Sequence, residues 1–320
     1  MALMIARRLG STVFVLFGVV LIVFLLLQLV PGDPARTILG AGATEDAVEA
    51  VRRELGLDQS VAVQFFSYLG GLLTGDFGRS LTINQPVLDI ILPRFQNTLV
   101  LSFAALVLCI AIGVPLGIIA ARKQYGIFDR VSMFVSLAGA SVPVYWLGLM
   151  LIGIFSLQLG WFPTSGMTNP RSPGGGVTDN LVYLVLPAIA AASVPLAVIA
   201  RMTRSVIVDT MEQDYIRTLR ASGIPERSIL WKHCLRNALP PIVTVIGLQI
   251  GYLLGGVIFV EVVFSWPGLG YQLYTSITQN DMPLVQAGVL FIALVFVIVN
   301  LLTDTAVGLL DPRTRRKVTA

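Results

Sequence analysis

One histidine, two cysteines and three lysines are all this chain offers for metal, thiol or phosphate chemistry, and their positions deny the usual schemes. A phosphate-binding loop needs Gly-Lys followed by Ser or Thr, because the lysine must reach the terminal phosphates. None of Lys123, Lys232 and Lys317 follows a glycine. A lone His233 excludes multi-histidine metal sites, and Cys109 and Cys234 form no Cys-x-x-Cys pair. Neither His-Glu-x-x-His nor a Gly-x-Ser-x-Gly elbow occurs. Facing carboxylates for aspartyl chemistry are missing from the apolar stretches, where the nearest acids, Glu261 and Asp304, stand close to the ends. We assign no catalytic residue, no metal ligand and no cofactor to this chain. The residues with informative spacing instead run from Asp214 to Asn237, and their pattern is one of helices rather than of a reactive constellation.

The elements that must position them lie in a membrane. Of 320 residues 55% are hydrophobic and 12% charged, about half the charged share of a soluble domain. The net charge of +4 reads as an orientation signal in such a chain, which leaves nucleic acid no role. Stretches of about 20 apolar residues, the length that crosses a bilayer, occupy 9–30, 99–120, 131–157, 181–199, 242–263 and 284–302. The first is too long for a signal peptide's apolar region and has no small-x-small cleavage site after it. Six spans put both termini on one side. That side collects sixteen of the 22 Lys and Arg, including Arg7, Arg8, Arg122, Lys123 and Arg130, seven from Arg201 to Arg236, and Arg313, Arg315, Arg316 and Lys317. The positive-inside rule makes it the cytoplasm. The divisions expected are 1–30 (terminus and first span), 31–98 (an extracytoplasmic segment), 99–310 (the remaining spans, with a cytoplasmic loop at 202–240) and 311–320 (a cytoplasmic tail).

The outer segment is acidic and carries helical patterns at 44–57 and 61–73, which suggests a small folded cap rather than a spacer. Two more outer loops cover 160–180 and 264–283. No ionisable residue falls at the middle of a span, where ion-coupled carriers place theirs. If the chain is a transporter, its energy should come from elsewhere.

The loop at 202–240 is long for a link between packed helices. Val208, Met211, Tyr215 and Leu219 recur at three- and four-residue steps opposite Asp209, Gln213, Arg217 and Arg220, which predicts an amphipathic helix over 208–219. Gly223 followed by Ile224-Pro225 predicts a stop and restart, with a second helix over 225–238 that meets the membrane at Leu239-Pro240-Pro241. On pattern alone this is either a rigid elbow or an interfacial helix resting on lipid headgroups.

The general permease motif of ATP-binding-cassette importers is only partly kept: its glycine falls on Gly223, but Arg217-Thr218-Leu219 replaces its acidic-alanine triplet. The run Asp214-Tyr215-Ile216-Arg217-Thr218-Leu219-Arg220-Ala221-Ser222-Gly223, followed by His233-Cys234-Leu235-Arg236-Asn237-Ala238-Leu239-Pro240, resembles the version found in the dipeptide, oligopeptide and nickel permeases. Similar stretches cover the whole chain: Leu29-Val30-Pro31-Gly32-Asp33-Pro34, Leu55-Gly56-Leu57-Asp58-Gln59, Gly75-Asp76-Phe77-Gly78, Phe264-Ser265-Trp266-Pro267-Gly268-Leu269-Gly270 and Leu310-Asp311-Pro312-Arg313. The long outer segment resembles the B-type member of the permease pair.

The resemblance implies an all-α, six-span, type I (MetI-like) importer permease in a bacterial or archaeal cytoplasmic membrane. It implies a C-type permease partner, two ATPases that bind ATP and magnesium, and a soluble binding protein outside, with membrane lipid around them. It places a coupling helix before Gly223, with Asp214, Tyr215, Arg217, Arg220, Ala221 and Gly223 on the docking face and His233, Arg236 and Asn237 as braces. Gly247, Gly251 and Gly255, at four-residue steps, are expected to form a close helix seam with the partner permease or with this chain's own bundle, and Gly113 and Gly117 beside Pro115 make a second, weaker case. Trp266, Pro267 and Gly268 are expected at an outer gate or binding-protein contact, or else as an interfacial anchor. The expected function is import of di- or oligopeptides, with nickel chelates or glutathione as alternatives within the family. An ATPase-independent channel or carrier and an exporter are the readings outside it.

Overall fold

The computed structural model describes residues 2–29, 34–40, 42–54, 56–168 and 177–310. The expected tail, Val30 to Asp33, Leu55, and residues 169–176 of the expected second outer loop, with Arg171, lie outside them. Thirteen helices account for the regular structure described: α1 (Ala2–Gln28), α2 (Pro34–Leu39), α3 (Glu45–Glu54), α4 (Val61–Thr74), α5 (Val87–Arg122), α6 (Ile127–Ser141), α7 (Val144–Gln158), α8 (Val177–Met211), α9 (Asp214–Ala221), α10 (226–256), α11 (Ile258–Val263), α12 (Leu269–Thr278) and α13 (Met282–Leu310). Among the described residues the only β pairing is an isolated bridge between Arg79 and Pro86.

Four helices, α5, α8, α10 and α13, carry segments long and apolar enough to cross a membrane, and α6 with α7 makes a fifth if the pair is one span. That pair corresponds to the expected span at 131–157, but it bends by 100° at Val142-Pro143. Proline excludes the helical conformation from the residue before it, and Val142 is accordingly extended (φ −77°, ψ 126°). In α1 the described apolar stretch is Val13–Leu26, shorter than the expected first span. Helix α5 starts at Val87, twelve residues ahead of the expected span, and so takes in the end of the outer segment. Helix α10 also runs straight through Pro240 and Pro241, where the sequence suggested an entry point. Those prolines free the carbonyls of Arg236 and Asn237, and both residues are exposed, so water can take the missing donors' place.

The chain divides into two compact units. The first comprises Met1–Asn97 and Pro267–Val297. Within it α1 meets α4 through Val20, Phe24 and Phe65, the two rings edge to face at 5.3 Å. A second cluster gathers Val87, Ile90, Ile91, Leu269, Leu284 and Ala287. Beside it the buried Asp281 accepts bonds from the Ser80 hydroxyl (2.5 Å), the Thr82 hydroxyl (2.7 Å) and the backbone N–H groups of Leu81 and Thr82 (both 3.2 Å). The carboxylate thereby ties the loop around the Arg79 bridge to the start of α13.

The second unit comprises Thr98–Trp266 and the chain from Ile298. Its larger core packs Leu101, Ala105 and Cys109 of α5 against Ala188, Ala190, Ala191, Ala192 and Ile199 of α8, with Leu253, Val260, Phe264 and Trp266. Small residues bring α5 and α8 together. A Cβ on Gly117 would stand 2.5 Å from the Ala200 carbonyl oxygen, and one on Gly113 3.1 Å from that of Leu196. A second core (Ile118, Ile207, Ile216, Ile229, Leu230, Cys234, Ala238, Ile242) lies under the elbow.

Candidate coupling elbow

The single helix expected over 208–219 is broken: α8 takes in its first residues and ends at Met211, and Gln213 is extended (φ −69°, ψ 149°). The Gln213 carbonyl then accepts from the Ile216 N–H at 3.0 Å and starts α9. The apolar positions of the predicted helix are shared between two helices whose inner faces meet the same core. Ile216 is fully buried there, with Met211, Tyr215 and Leu219 packed around it. That shared burial explains why the sequence reads as one amphipathic stripe.

The end of α9 follows from Gly223, whose φ of +78° penalises any side chain. The Gly223 N–H donates to the Arg220 carbonyl (3.0 Å) and the Ile224 N–H to that of Leu219 (3.2 Å), the paired bonds of a Schellman stop. Ile224 and Leu219 pack on the same core, completing the motif. Pro225 is extended and its carbonyl accepts from the Ser228 and Ile229 N–H groups, which restarts the chain as α10 at Glu226. The Arg220 guanidinium closes the elbow from outside with two bonds to the Glu226 carboxylate (2.6 and 3.4 Å).

Of the sequence-selected residues, Asp214, Arg217, Arg220, Ala221 and Gly223 stand exposed on α9 and its stop. Tyr215 is half-buried, and its hydroxyl accepts a 2.8 Å bond from the Asn237 side-chain amide of α10. Asn237 thus braces the two arms. His233 is half-buried and Arg236 exposed on α10. Asp214 and Arg217 form a loose, exposed ion pair at 3.5 Å.

The other selected glycines divide. A Cβ on Gly247 would collide with Thr303, so this position meets the chain's own last helix; Gly251 is buried, and Gly255 is exposed with nothing within 4 Å of a Cβ. Trp266 is 1% exposed, its indole packed in the larger core. Pro267 is half-buried, and its carbonyl accepts from the side chains of Asn97 (2.8 Å) and Arg94 (3.4 Å); Gly268 is buried.

Besides Asp281, two buried carboxylates were given no role by the sequence reading. Glu261 accepts a 2.6 Å bond from the Thr98 hydroxyl and is fully buried near the end of α11. Asp129, in the first turn of α6, pairs with Arg204 of α8. The available signal was that both Asp129 and Arg204 fall at the cytoplasmic ends of predicted spans.

α9 is thus a short helix with an exposed polar face, held on an apolar footing beside the end of α8. Residues 113–316 match the family described as the binding-protein-dependent transport system inner membrane component, and residues 1–102 match the corresponding N-terminal family. The chain belongs to this family and is a non-catalytic permease subunit of an ATP-binding-cassette importer, a protein of the inner membrane. It is 42% identical to the dipeptide transport system permease protein DppB of Alkalihalophilus pseudofirmus, over 96% of this chain and 97% of that one. It is equally close to the di/tripeptide permease of Pseudomonas aeruginosa (42%, 98% of each) and to the glutathione permease GsiC of Escherichia coli (42%, 97% and 98%). Among solved structures, an inward-facing MetNI methionine transporter shares the fold at 18% identity, with a TM-score of 0.54 over 71% of this chain and 98% of that one. The type I importer permease fold follows.

Proposed function

We propose that this permease moves short peptides inward, as one half of a heterodimeric pathway whose other half is a C-type permease. A soluble binding protein delivers the peptide from outside, and two ATPases bind ATP and magnesium beneath the cytoplasmic ends. Six spans with both termini in the cytoplasm place α9 on the ATPase side. The reading is carried by α9 itself: its exposed face is polar, its buried Ile216 fixes it to the ends of α8 and α10, and the Gly223 stop sets its direction. Closure of the ATPases on ATP pushes the elbow as a rigid body, and the helices attached to it swing. Asp214, Arg217, Arg220, Ala221 and Gly223 form the docking face, with Tyr215, Asn237, His233 and Arg236 holding the second arm. The names of the similar permeases support peptides as the substrate class, and glutathione, a small peptide, belongs to the same chemistry.

The test is ATP hydrolysis by the complex in nanodiscs, with and without binding protein and peptide. Proline at Gly223 removes the N–H that bonds Arg220 and forbids the positive φ. The Gly223→Pro complex should assemble yet lose peptide-stimulated hydrolysis. Unchanged stimulation refutes the placement of the coupling helix, and uptake without any ATPase refutes the importer reading for this chain.

A further inference from the structure

Asp129 and Arg204 stand outside the elbow, yet their pairing is the most closely bonded charge contact described in the second unit. The Asp129 carboxylate is 3% exposed. One oxygen accepts from Arg204 Nε at 2.5 Å, and the other from Arg204 Nη2 at 2.6 Å and from the Tyr125 N–H at 2.9 Å. The guanidinium thus engages the carboxylate as a fork, a geometry that fixes direction as well as distance. Burial of such a pair is weak grounds for stability, because desolvation offsets much of the attraction, so its position is the more telling property.

The position joins three elements. Arg204 lies seven residues before the end of α8, about 10 Å along its axis from the break that starts α9. The adjoining Thr203 and Ala200 face Gly117 of α5 at the closest backbone approach of that seam. Asp129 opens α6, whose Ser132 and Ser136 are buried on the same helical face, and α6 packs on α8. The turn at 123–126 between α5 and α6 is itself tight: Tyr125 has φ +63°, and a Cβ on Gly126 would stand 2.9 Å from the Lys123 carbonyl oxygen.

We infer that Asp129 and Arg204 form a clasp that makes the end of α5, the start of α6 and the shaft of α8 one body, so that displacement of α9 reaches α5 and α6 without slack. Both are positioning residues, and the inference rests on the coupling role proposed for α9. A simpler role for Asp129, capping α6 through the Tyr125 N–H, leaves Arg204 without a task. Arg204→Gln separates the two, because it removes the fork and leaves the cap.

The experiment uses the assembled complex with spin labels at Lys123→Cys and Thr218→Cys, in a background with Cys109→Ala and Cys234→Ala, and reads their distance by pulsed electron resonance. With the clasp intact, the distribution is narrow and the same in the nucleotide-free and ATP-vanadate-trapped states. In Arg204→Gln it broadens or shifts between them, and uptake of dialanine per ATP hydrolysed falls about tenfold while unstimulated hydrolysis persists. Arg204→Lys, which keeps the charge without the fork, recovers part of the loss. A narrow, unchanged distribution in Arg204→Gln overturns the clasp. A wild-type complex that hydrolyses ATP without moving α9 defeats the coupling role instead, and the nucleotide-free distance distributions of wild type and Arg204→Gln then still decide whether the pair holds the turn to α8.

Discussion

The seam between α5 and α8 and the elbow between α9 and α10 each fix two helices in the second unit, but with different atoms. The seam works by omission: Gly113 and Gly117 carry no side chain, so backbone meets backbone, and neighbouring alanines complete the fit. The elbow works by conformation: a positive φ at Gly223, an extended Pro225 and paired backbone bonds set its angle, while one buried isoleucine holds it down. A seam of this kind is intolerant of volume and indifferent to charge beyond its edge. An elbow of this kind tolerates changes on its outer face and fails when its backbone cannot take the required shape. Such a division suits a coupling device, whose shaft must not deform while its docking face adapts to a partner.

The largest effect should come from adding volume to the seam. Gly117→Val places three carbons where a single Cβ already stands 2.5 Å from the Ala200 oxygen and 2.7 Å from Thr203 Cβ. Overpacking a tight site costs about 1–3 kcal/mol, and more where backbone is the obstacle. The yield of monodisperse permease in detergent should collapse. Gly255→Ala, which meets nothing within 4 Å, should leave both yield and Tm unchanged. Equal behaviour of the two variants would show that the close approach between α5 and α8 does not limit stability.

Next in size is the footing of the elbow. Ile216→Ala removes a fully buried side chain from the core of Ile207, Ile229, Leu230 and Cys234, a change worth about 2–5 kcal/mol where the cavity cannot collapse. The loss should be local, and hydrogen exchange is the measurement: the amides of α9 should lose protection while those of α8 near Ile199 keep theirs. Loss of protection in both would mean that the elbow and the shaft unfold together.

The helical class, most of the membrane-crossing segments and the glycine stop were legible because each leaves a local mark, whether an apolar run or a residue that accepts a positive φ without strain. The break at Glu212-Gln213 was not legible. Met211 and Tyr215 stay four residues apart and face one core, so the stripe persists although the helix does not. The bend at Pro143 carried its mark, and the apolar run around it is long for one crossing, but its continuity hid the break. The glycine repeats show a related limit: Gly247, Gly251 and Gly255 recur conspicuously, but whether space closes around a glycine depends on the helix opposite, in this chain or in a partner. Thr303 supplies that neighbour at Gly247, and none is present at Gly255. Trp266 follows a predicted span end, and nothing local in the sequence shows that it packs in one core with Phe264 and Val260. The Asp129 clasp needs two residues 75 positions apart, and such a pairing leaves no periodic trace.

The backbone of the elbow supplies a smaller and more diagnostic effect. At φ +78° a β-branched residue is strained, while asparagine accepts the left-handed region at modest cost. Gly223→Val should lower Tm and weaken peptide-stimulated hydrolysis, and Gly223→Asn should retain most of both. The order of the two variants matters more than the size of either change, because they differ little in volume. If asparagine is no better than valine, the requirement at 223 is absence of a side chain against a partner rather than backbone conformation.

Smallest of all should be the effect on stability of the outer face, and here the comparison between the regions is sharpest. Arg217 reaches Asp214 at 3.5 Å with both side chains largely in solvent, an arrangement that contributes almost nothing to folding because water and salt screen it. Arg217→Ala should therefore leave the Tm of the isolated permease where it is. If α9 docks on an ATPase, the same substitution removes a guanidinium from that interface, and arginine is among the residues on which binding energy concentrates. Titration of the purified ATPase onto permease nanodiscs should then show roughly tenfold weaker binding for Arg217→Ala, with a weaker salt dependence than wild type. Unaltered affinity together with unaltered Tm would mean that this part of α9 faces headgroups or water, and the docking face would have to be sought on the Arg220 and Ala221 side of the helix.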